Sequence, residues 1–293
     1  MTPSVRAAAW VGLAALVAGC TTSAKGLARD ERRDNRRLQF SGAGVRTLDV
    51  RTLSGSIRVT GDNGSDVRVE AVTRVEADDD AGLKAGLQAV KFDAEEKGST
   101  VAITLRDDGE NTCGEQEWHR GPAWWDRRRY SSATELTIQA PRDVRVRLCT
   151  VNGDTVTVTN VTGDFDVSNV NGKVALSGMG GSGSATTVNG GIAASFAASP
   201  RGESRFKTVN GTIEATFPRD FAADLQLKTF NGGLFTDFDT QTLPVEPERA
   251  ERAGRPRYVY RQRGFTKVRV GAGGPLLTFD TLNGDVRILR AVR

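Results

Sequence analysis

Apolar residues recur at fixed offsets around seven two-residue turns: Ser54-Gly55, Asn152-Gly153, Asn171-Gly172, Asn189-Gly190, Asn210-Gly211, Asn231-Gly232 and Asn283-Gly284. Counting from the Asn or Ser, position −1 is apolar throughout: Leu53, Val151, Val170, Val188, Val209, Phe230 and Leu282. Position −4 reads Val50, Leu148, Val167, Ala185, Phe206, Leu227 and Phe279, and +3 reads Ile57, Thr155, Val174, Ile192, Ile213, Leu234 and Val286. Thr155 alone is polar among the −4 and +3 positions, and Val156 and Val158 after it are shifted by one, which predicts a bulge. A repeat that keeps apolar spacing rather than reactive side chains specifies an architecture.

In a two-residue hairpin with Asn-Gly at its tip, −1 points away from −4 and leaves seven apolar side chains in solvent. If the chain instead turns a corner there, −1 swings inward beside −4 and +3. The apolar −1 position therefore predicts an all-β fold, a β-solenoid resembling a single-stranded parallel β-helix. From Asn152 the turns recur at 19, 18, 21 and 21 residues, so each coil has about 20 residues, two short strands and two turns. Asn recurring at one corner suits a ladder of stacked amides, and the Gly after it tolerates positive φ.

The last interval, 52 residues, holds an insertion near 240–256, after which Tyr258 to Gln262 and Lys267 to Gly274 resume the strand pattern. Between 62 and 143, Val67 to Val75, Thr100 to Leu105 and Glu135 to Gln139 alternate as strands, while Leu83, Leu87 and Val90 predict a short helix weakened by Gly82 and Gly86. A long excursion near 106–132 is polar and rich in Trp.

Residues 1–19 read as a signal peptide: Arg6, then an apolar run of eleven from Ala7 to Val17, too short for the roughly 20 residues of a spanning helix. Val17-Ala18-Gly19-Cys20 looks like a bacterial lipobox, which implies cleavage before Cys20 and its acylation, a membrane anchor without a spanning segment. Thr21, where an Asp would retain the protein at the inner membrane, points to the outer membrane. Residues 20–39 read as a polar tether and 40–293 as the repeat domain. Without residues 1–19 the chain keeps 39 Lys and Arg against 36 Asp and Glu, a formal +3, too weak a field to suggest nucleic acid as a partner.

Beyond Cys20 there are two cysteines, Cys113 and Cys149. In an exported protein they suggest a disulfide closing about 37 residues, worth roughly 3 to 4 kcal/mol by the chain-entropy model; two free buried thiols are the other reading. With one histidine, His119, no zinc set and no Ser-His-Asp arrangement is expected, and no metal or cofactor is called for. Paired carboxylates are the enzyme option: Asp154, Asp164 and Asp166, extended by Asp237 and Asp239, could line one face as in polysaccharide-cleaving β-helices. Gly61 to Asp66 lacks the spaced Glu of a calcium loop and reads as a turn. Trp118, Trp124, Trp125, Arg127, Arg128, Arg129 and Tyr130 form a segment whose composition suits recognition, or which caps an open end of the β stack.

Glu135 to Pro141, Val144 to Leu148, Thr150 to Asp154, Thr187-Val-Asn-Gly190, Thr208-Val-Asn-Gly211 and Thr281 to Ile288 together resemble the bacterial putative-adhesin family of β-strand-repeat proteins over roughly 40–293. The resemblance implies a β-helical envelope domain with no established reaction. The expected function is a lipid-anchored, non-enzymatic binding module or scaffold whose partners are the membrane, through the lipid, and an envelope protein or glycan. A polysaccharide-acting enzyme and an envelope-stress or assembly protein are the alternatives.

Overall fold

A computed structural model describes residues 30–40, 44–107, 129–244 and 264–292. Cys20, Cys113, His119, Trp118, Trp124, Trp125, Arg127, Arg128 and Tyr258 to Gln262 lie outside those residues, as do residues 1–19.

The described chain is all-β with one helix. It opens with β1 (Asp30–Phe40), β2 (Thr47–Arg51), β3 (Ile57–Asp62), β4 (Val67–Ala77), α1 (Asp80–Ala89), β5 (Val90–Lys97), β6 (Thr100–Asp107) and β7 (Tyr130–Pro141). The repeats follow as β8 (Arg145–Thr150), β9 (Thr155–Thr159), β10 (Phe165–Asn169), β11 (Lys173–Met179), β12 (Gly183–Thr186), β13 (Ile192–Phe196), β14 (Ser204–Asn210), β15 (Ile213–Phe217), β16 (Ala223–Asn231) and β17 (Leu234–Thr236). Strands β18 (Thr240–Thr242), β19 (Thr266–Val270), β20 (Leu276–Asn283) and β21 (Val286–Arg290) complete it.

Two large mixed sheets result. The first runs β1-β4-β7-β3-β9-β11-β13-β15-β21-β17 and the second β18-β19-β16-β20-β14-β12-β10-β8-β2-β6-β5. Each Asn-Gly or Ser-Gly corner passes the chain from a strand of the second sheet to one of the first, and across the repeats neighbouring strands pair in parallel. The −4 residues, including Val50, Leu148, Phe206 and Phe279, and the +3 residues Ile57, Val174, Ile192, Ile213 and Val286 fall in one contiguous buried cluster drawn from both sheets. Leu234 at the edge is the exposed exception among the apolar +3 positions. At the irregular unit, Val156 rather than Thr155 pairs with Ile57 and Val174, so one extra residue enters that corner. Aromatic rings join the layers: Phe206 stacks on Phe279 at 4.9 Å, Phe196 on Phe217 at 4.9 Å, and Phe165 lies 6.3 Å from both Phe196 and Phe206.

The strands are not stacked in chain order. β20 and β21 lie between β14/β15 and β16/β17, so the last repeat is an interior layer. At the other end β6 and β7 pair in parallel outside β2 and β3, which puts a coil-like pair where the sequence pattern between 62 and 143 is too degenerate to place one. Antiparallel strands β4, β1 and β5 follow outward there, and β19 and β18 flank β16 at the far end.

One local expectation changes and another is met. Asp30–Phe40, read as tether, is an eleven-residue edge strand paired with β4, its alternating acids and arginines making it a poor template for further pairing. Helix α1 forms with Asp79 accepting from the Gly82 N–H. Its Gly86 is a packing requirement: a Cβ there would lie 2.6 Å from Val75 Cγ1 and 2.8 Å from Tyr130 Cδ2.

Deleting residues 276–290 removes a middle layer. We expect limited proteolysis to digest Ala223 to Val270 as well, leaving a resistant core that ends near Phe217; a fragment that still protects β16 and β19 would contradict this.

Candidate functional site

The strands keep their in-out alternation up to the corner, so −1 does not swing inward as the sequence reading has it. The buried position is −2: Thr52, Thr150, Asn169, Thr187, Thr208 and Thr281 are all buried, and Thr229 is half-buried at the edge. Five of these seven side chains bond the neighbouring layer's glycine carbonyl, while Thr52 Oγ1 donates to Ser54 O in its own corner at 3.2 Å. Thr187 Oγ1 donates to Gly172 O at 2.9 Å, Thr208 to Gly190 at 2.8 Å, Thr281 to Gly211 at 2.9 Å and Thr229 to Gly284 at 2.8 Å, with Asn169 Nδ2 donating to Gly153 O at 3.1 Å.

The same carbonyl explains the glycine. A Cβ on Gly172 would lie 1.7 Å from Gly153 O, and on Gly190, 2.1 Å from Gly172 O. Gly172 has φ +142°, but Gly190 has no left-handed φ, so close approach of layers, rather than backbone freedom, is the shared requirement. Outside it the asparagines form a chain of hydrogen bonds, each Nδ2 donating to the next Oδ1: Asn171 to Asn152 at 2.9 Å, Asn189 to Asn171 at 2.8 Å, Asn210 to Asn189 at 2.9 Å, Asn283 to Asn210 at 2.7 Å and Asn231 to Asn283 at 2.7 Å. Ser54 stands where the row would need a further Asn, its hydroxyl 3.5 Å from Asn152 O.

The −1 residues consequently form a row on the outside of the corner. In stacking order Leu53, Val151, Val170 and Val209 are half-buried, Val188 and Leu282 are 39% and 44% exposed, and the row ends at Phe230, 56% exposed. At about 4.8 Å per strand the seven positions span roughly 29 Å. Leu234 and Phe235 on edge strand β17 widen the far end, where the Arg287 guanidinium lies 5.7 Å from the Phe235 ring centre. Beside it the Gly233 N–H and Arg287 hold the Asp285 carboxyl below its ordinary range.

A second feature lies on the outer face of the second sheet, an open groove of about 550 Å³ lined by Arg145, Arg147, Asp164, Phe165, Asp166, Ser182, Gly183, Arg201, Gly202 and Glu203. On the β12 side its lining is Ser182 and Gly183. Strand β12 presents Ser184 and Thr186 outward, between β10, with Asp166, and β14, with Arg205 and Lys207. Arg145 Nη2 pairs with Asp164 Oδ2 at 2.8 Å, Asp164 Oδ1 accepts from the Ser182 N–H at 3.3 Å, and Ser184 Oγ donates to Asp166 at 3.0 Å.

Two of the five carboxylates of the enzyme reading stand in one groove. Asp164 and Asp166 line the groove, Asp154 sits at a corner, and Asp237 accepts from the Arg290 N–H on the first sheet. Of the Trp and Arg segment, Arg129 pairs with Asp79 at 3.6 Å, and Tyr130, opening β7, donates to Asp107 at 2.8 Å. Cys149 is half-buried on β8, where Ser168 Oγ lies 2.9 Å from its sulfur. Among the described residues no helix is long and apolar enough to cross a membrane.

No family model and no curated protein matches the chain. Its backbone is similar to that of a putative cell adhesion protein from Clostridium sporogenes ATCC 15579, with TM-score 0.39, 10% identity, and coverage of 89% of this chain and 100% of that one. It is similar also to a putative adhesin from Bacteroides fragilis NCTC 9343, with TM-score 0.21, 9% identity and coverage of 88% and 97%. A putative lipid binding protein from Parabacteroides distasonis ATCC 8503 gives TM-score 0.21, 9% identity and coverage of 89% and 97%.

Proposed function

We propose that this chain is a lipid-anchored β-solenoid of the cell envelope, held to the outer membrane through an acylated Cys20, and that it works as a binding module or scaffold rather than an enzyme. The observation that carries the reading is the row from Leu53 to Phe230. A position on the solvent side of every corner has no need to be apolar for the core, yet it is apolar in all seven coils and broadens into Phe230, Leu234 and Phe235. Contiguous exposed apolar surface marks a contact surface for another macromolecule. Strands contributed alternately to two sheets, with parallel pairing between coils, support the solenoid reading. The Val17 to Cys20 motif supports the anchor.

Two measurements test it. Replacing Cys20 with Ser should move the protein from the membrane fraction to the soluble one on cell fractionation; unchanged partition would remove the lipid anchor. For the contact surface, cross-linking in whole cells should give a discrete adduct with the native chain that is lost in the Leu282→Glu/Phe230→Glu/Phe235→Glu variant. Identical adducts from both would refute the role of the corner row.

A further inference from the structure

We infer that Asn231-Gly232 is a site of spontaneous covalent modification, at which the asparagine amide is lost to leave aspartate or isoaspartate, while the stacked layers protect the other Asn-Gly pairs. The inference stands independently of the binding-module reading. The chain has seven such pairs, six at the corners and one at Asn63-Gly64. With no Cβ, a glycine after Asn leaves its own peptide nitrogen unshielded, and that nitrogen is the nucleophile. The Gly232 nitrogen gives up its proton and attacks Asn231 Cγ; the N–Cγ bond forms, the Cγ–Nδ2 bond breaks, and ammonia leaves carrying that proton. Water then adds across one of the two carbonyl–nitrogen bonds of the cyclic imide. Opening on one side restores the backbone as aspartate, and opening on the other routes it through Cγ as isoaspartate. Nothing is oxidised or reduced.

The reaction needs a free nitrogen, room for the Asn to leave its place in the row, and water. Five of the glycine N–H groups are engaged: Gly64 donates to Asp62 Oδ1 at 2.8 Å, Gly172 to Asn189 O at 2.9 Å, Gly190 to Asn210 O at 3.0 Å, Gly211 to Asn283 O at 2.8 Å and Gly284 to Asn231 O at 2.9 Å. At the corners each of these donors reaches the carbonyl of the layer stacked beyond it. Beyond Asn231 the described residues supply no such layer, since β17 ends its sheet and β19 pairs with β16 only as far as Leu227. Gly153 and Gly232 are left without such a bond among the described residues. Asn152 is nonetheless clamped from both sides, its backbone carbonyl accepting from the Gly55 N–H at 3.1 Å and its Oδ1 from Asn171 at 2.9 Å, and Gly153 is buried. Asn231 and Gly232 are both exposed, and Gly284 and Asn283 hold them from one side only. Conversion acts on the fold as well. A carboxylate cannot donate to Asn283 Oδ1 as the amide does at 2.7 Å, and isoaspartate adds a backbone atom between β16 and β17.

The test is to hold the full chain in detergent at mildly alkaline pH, either folded or in concentrated urea, and to follow each amide-to-acid conversion by peptide mass spectrometry with fragment-ion localisation. In the folded chain Asn231 should convert at least about tenfold faster than any other Asn-Gly pair, since each of the others must first give up a hydrogen bond or its packing. In urea, where no layers remain, that advantage should vanish. Conversion of Asn63, Asn152 or any interior asparagine as fast as Asn231 in the folded chain would overturn the assignment. So would an unmodified Asn231 where the urea control reacts, or the same advantage in urea. The Asn231→Asp variant should raise amide hydrogen exchange of Leu234 to Thr236 about tenfold or more and leave Ile213 to Phe217 unchanged. Unchanged exchange in β17, or an equal rise in both strands, would refute the coupling between this corner and its edge strand.

Discussion

Backbone carbonyls of Gly153, Gly172, Gly190, Gly211 and Gly284 each point at the next layer where a side chain would otherwise begin. Layers joined by backbone hydrogen bonds sit about 4.8 Å apart, and at the corner that spacing excludes even a methyl group. Glycine solves the steric problem and creates an electrostatic one, since a buried carbonyl left without a donor costs about 1 to 3 kcal/mol. The residue two places before the Asn answers it, a threonine for four of these carbonyls and Asn169 for that of Gly153. One residue thus removes bulk, a second supplies the proton, and the Asn outside links one layer's amide to the next. With the corners in register, −4 and +3 are carried into register too, and the stacked Phe206 and Phe279 rings depend on that alignment.

The same regularity governs the outer faces. Because the inner positions are occupied by core residues, variation between coils is confined to outward positions, and neighbours in space differ there without disturbing the fold. Arg145, Asp164, Ser182, Arg201 and Glu203 line a trough on the second sheet, while the −1 row makes a ridge at the corner. Trough and ridge share one scaffold but differ in chemistry: charge and hydroxyls in the first, exposed Val, Leu and Phe in the second.

The apolar core positions were legible because a period of two, anchored on a recurring turn, leaves few alternatives for −4 and +3. The direction of −1 was not, since strand alternation persists to the corner and carries an apolar residue outward. The correcting signal was present: Thr52, Thr150, Thr187, Thr208, Thr229 and Thr281 share the −2 position, and a polar residue kept beside a glycine is a donor in search of an acceptor. The groove was hidden because its walls come from segments separated by some 20 residues. β1 was missed because its charges resemble a solvated linker, although an edge strand tolerates them on both faces.

Layer order carries a consequence of its own. Polypeptides emerge amino end first, so β14 to β17 exist before the piece that separates them has been made. Until Leu276 to Arg290 arrives, the paired surfaces on either side have no correct neighbour, and the aromatic contact between Phe206 and Phe279 is missing. A keystone supplied last keeps the growing arch open.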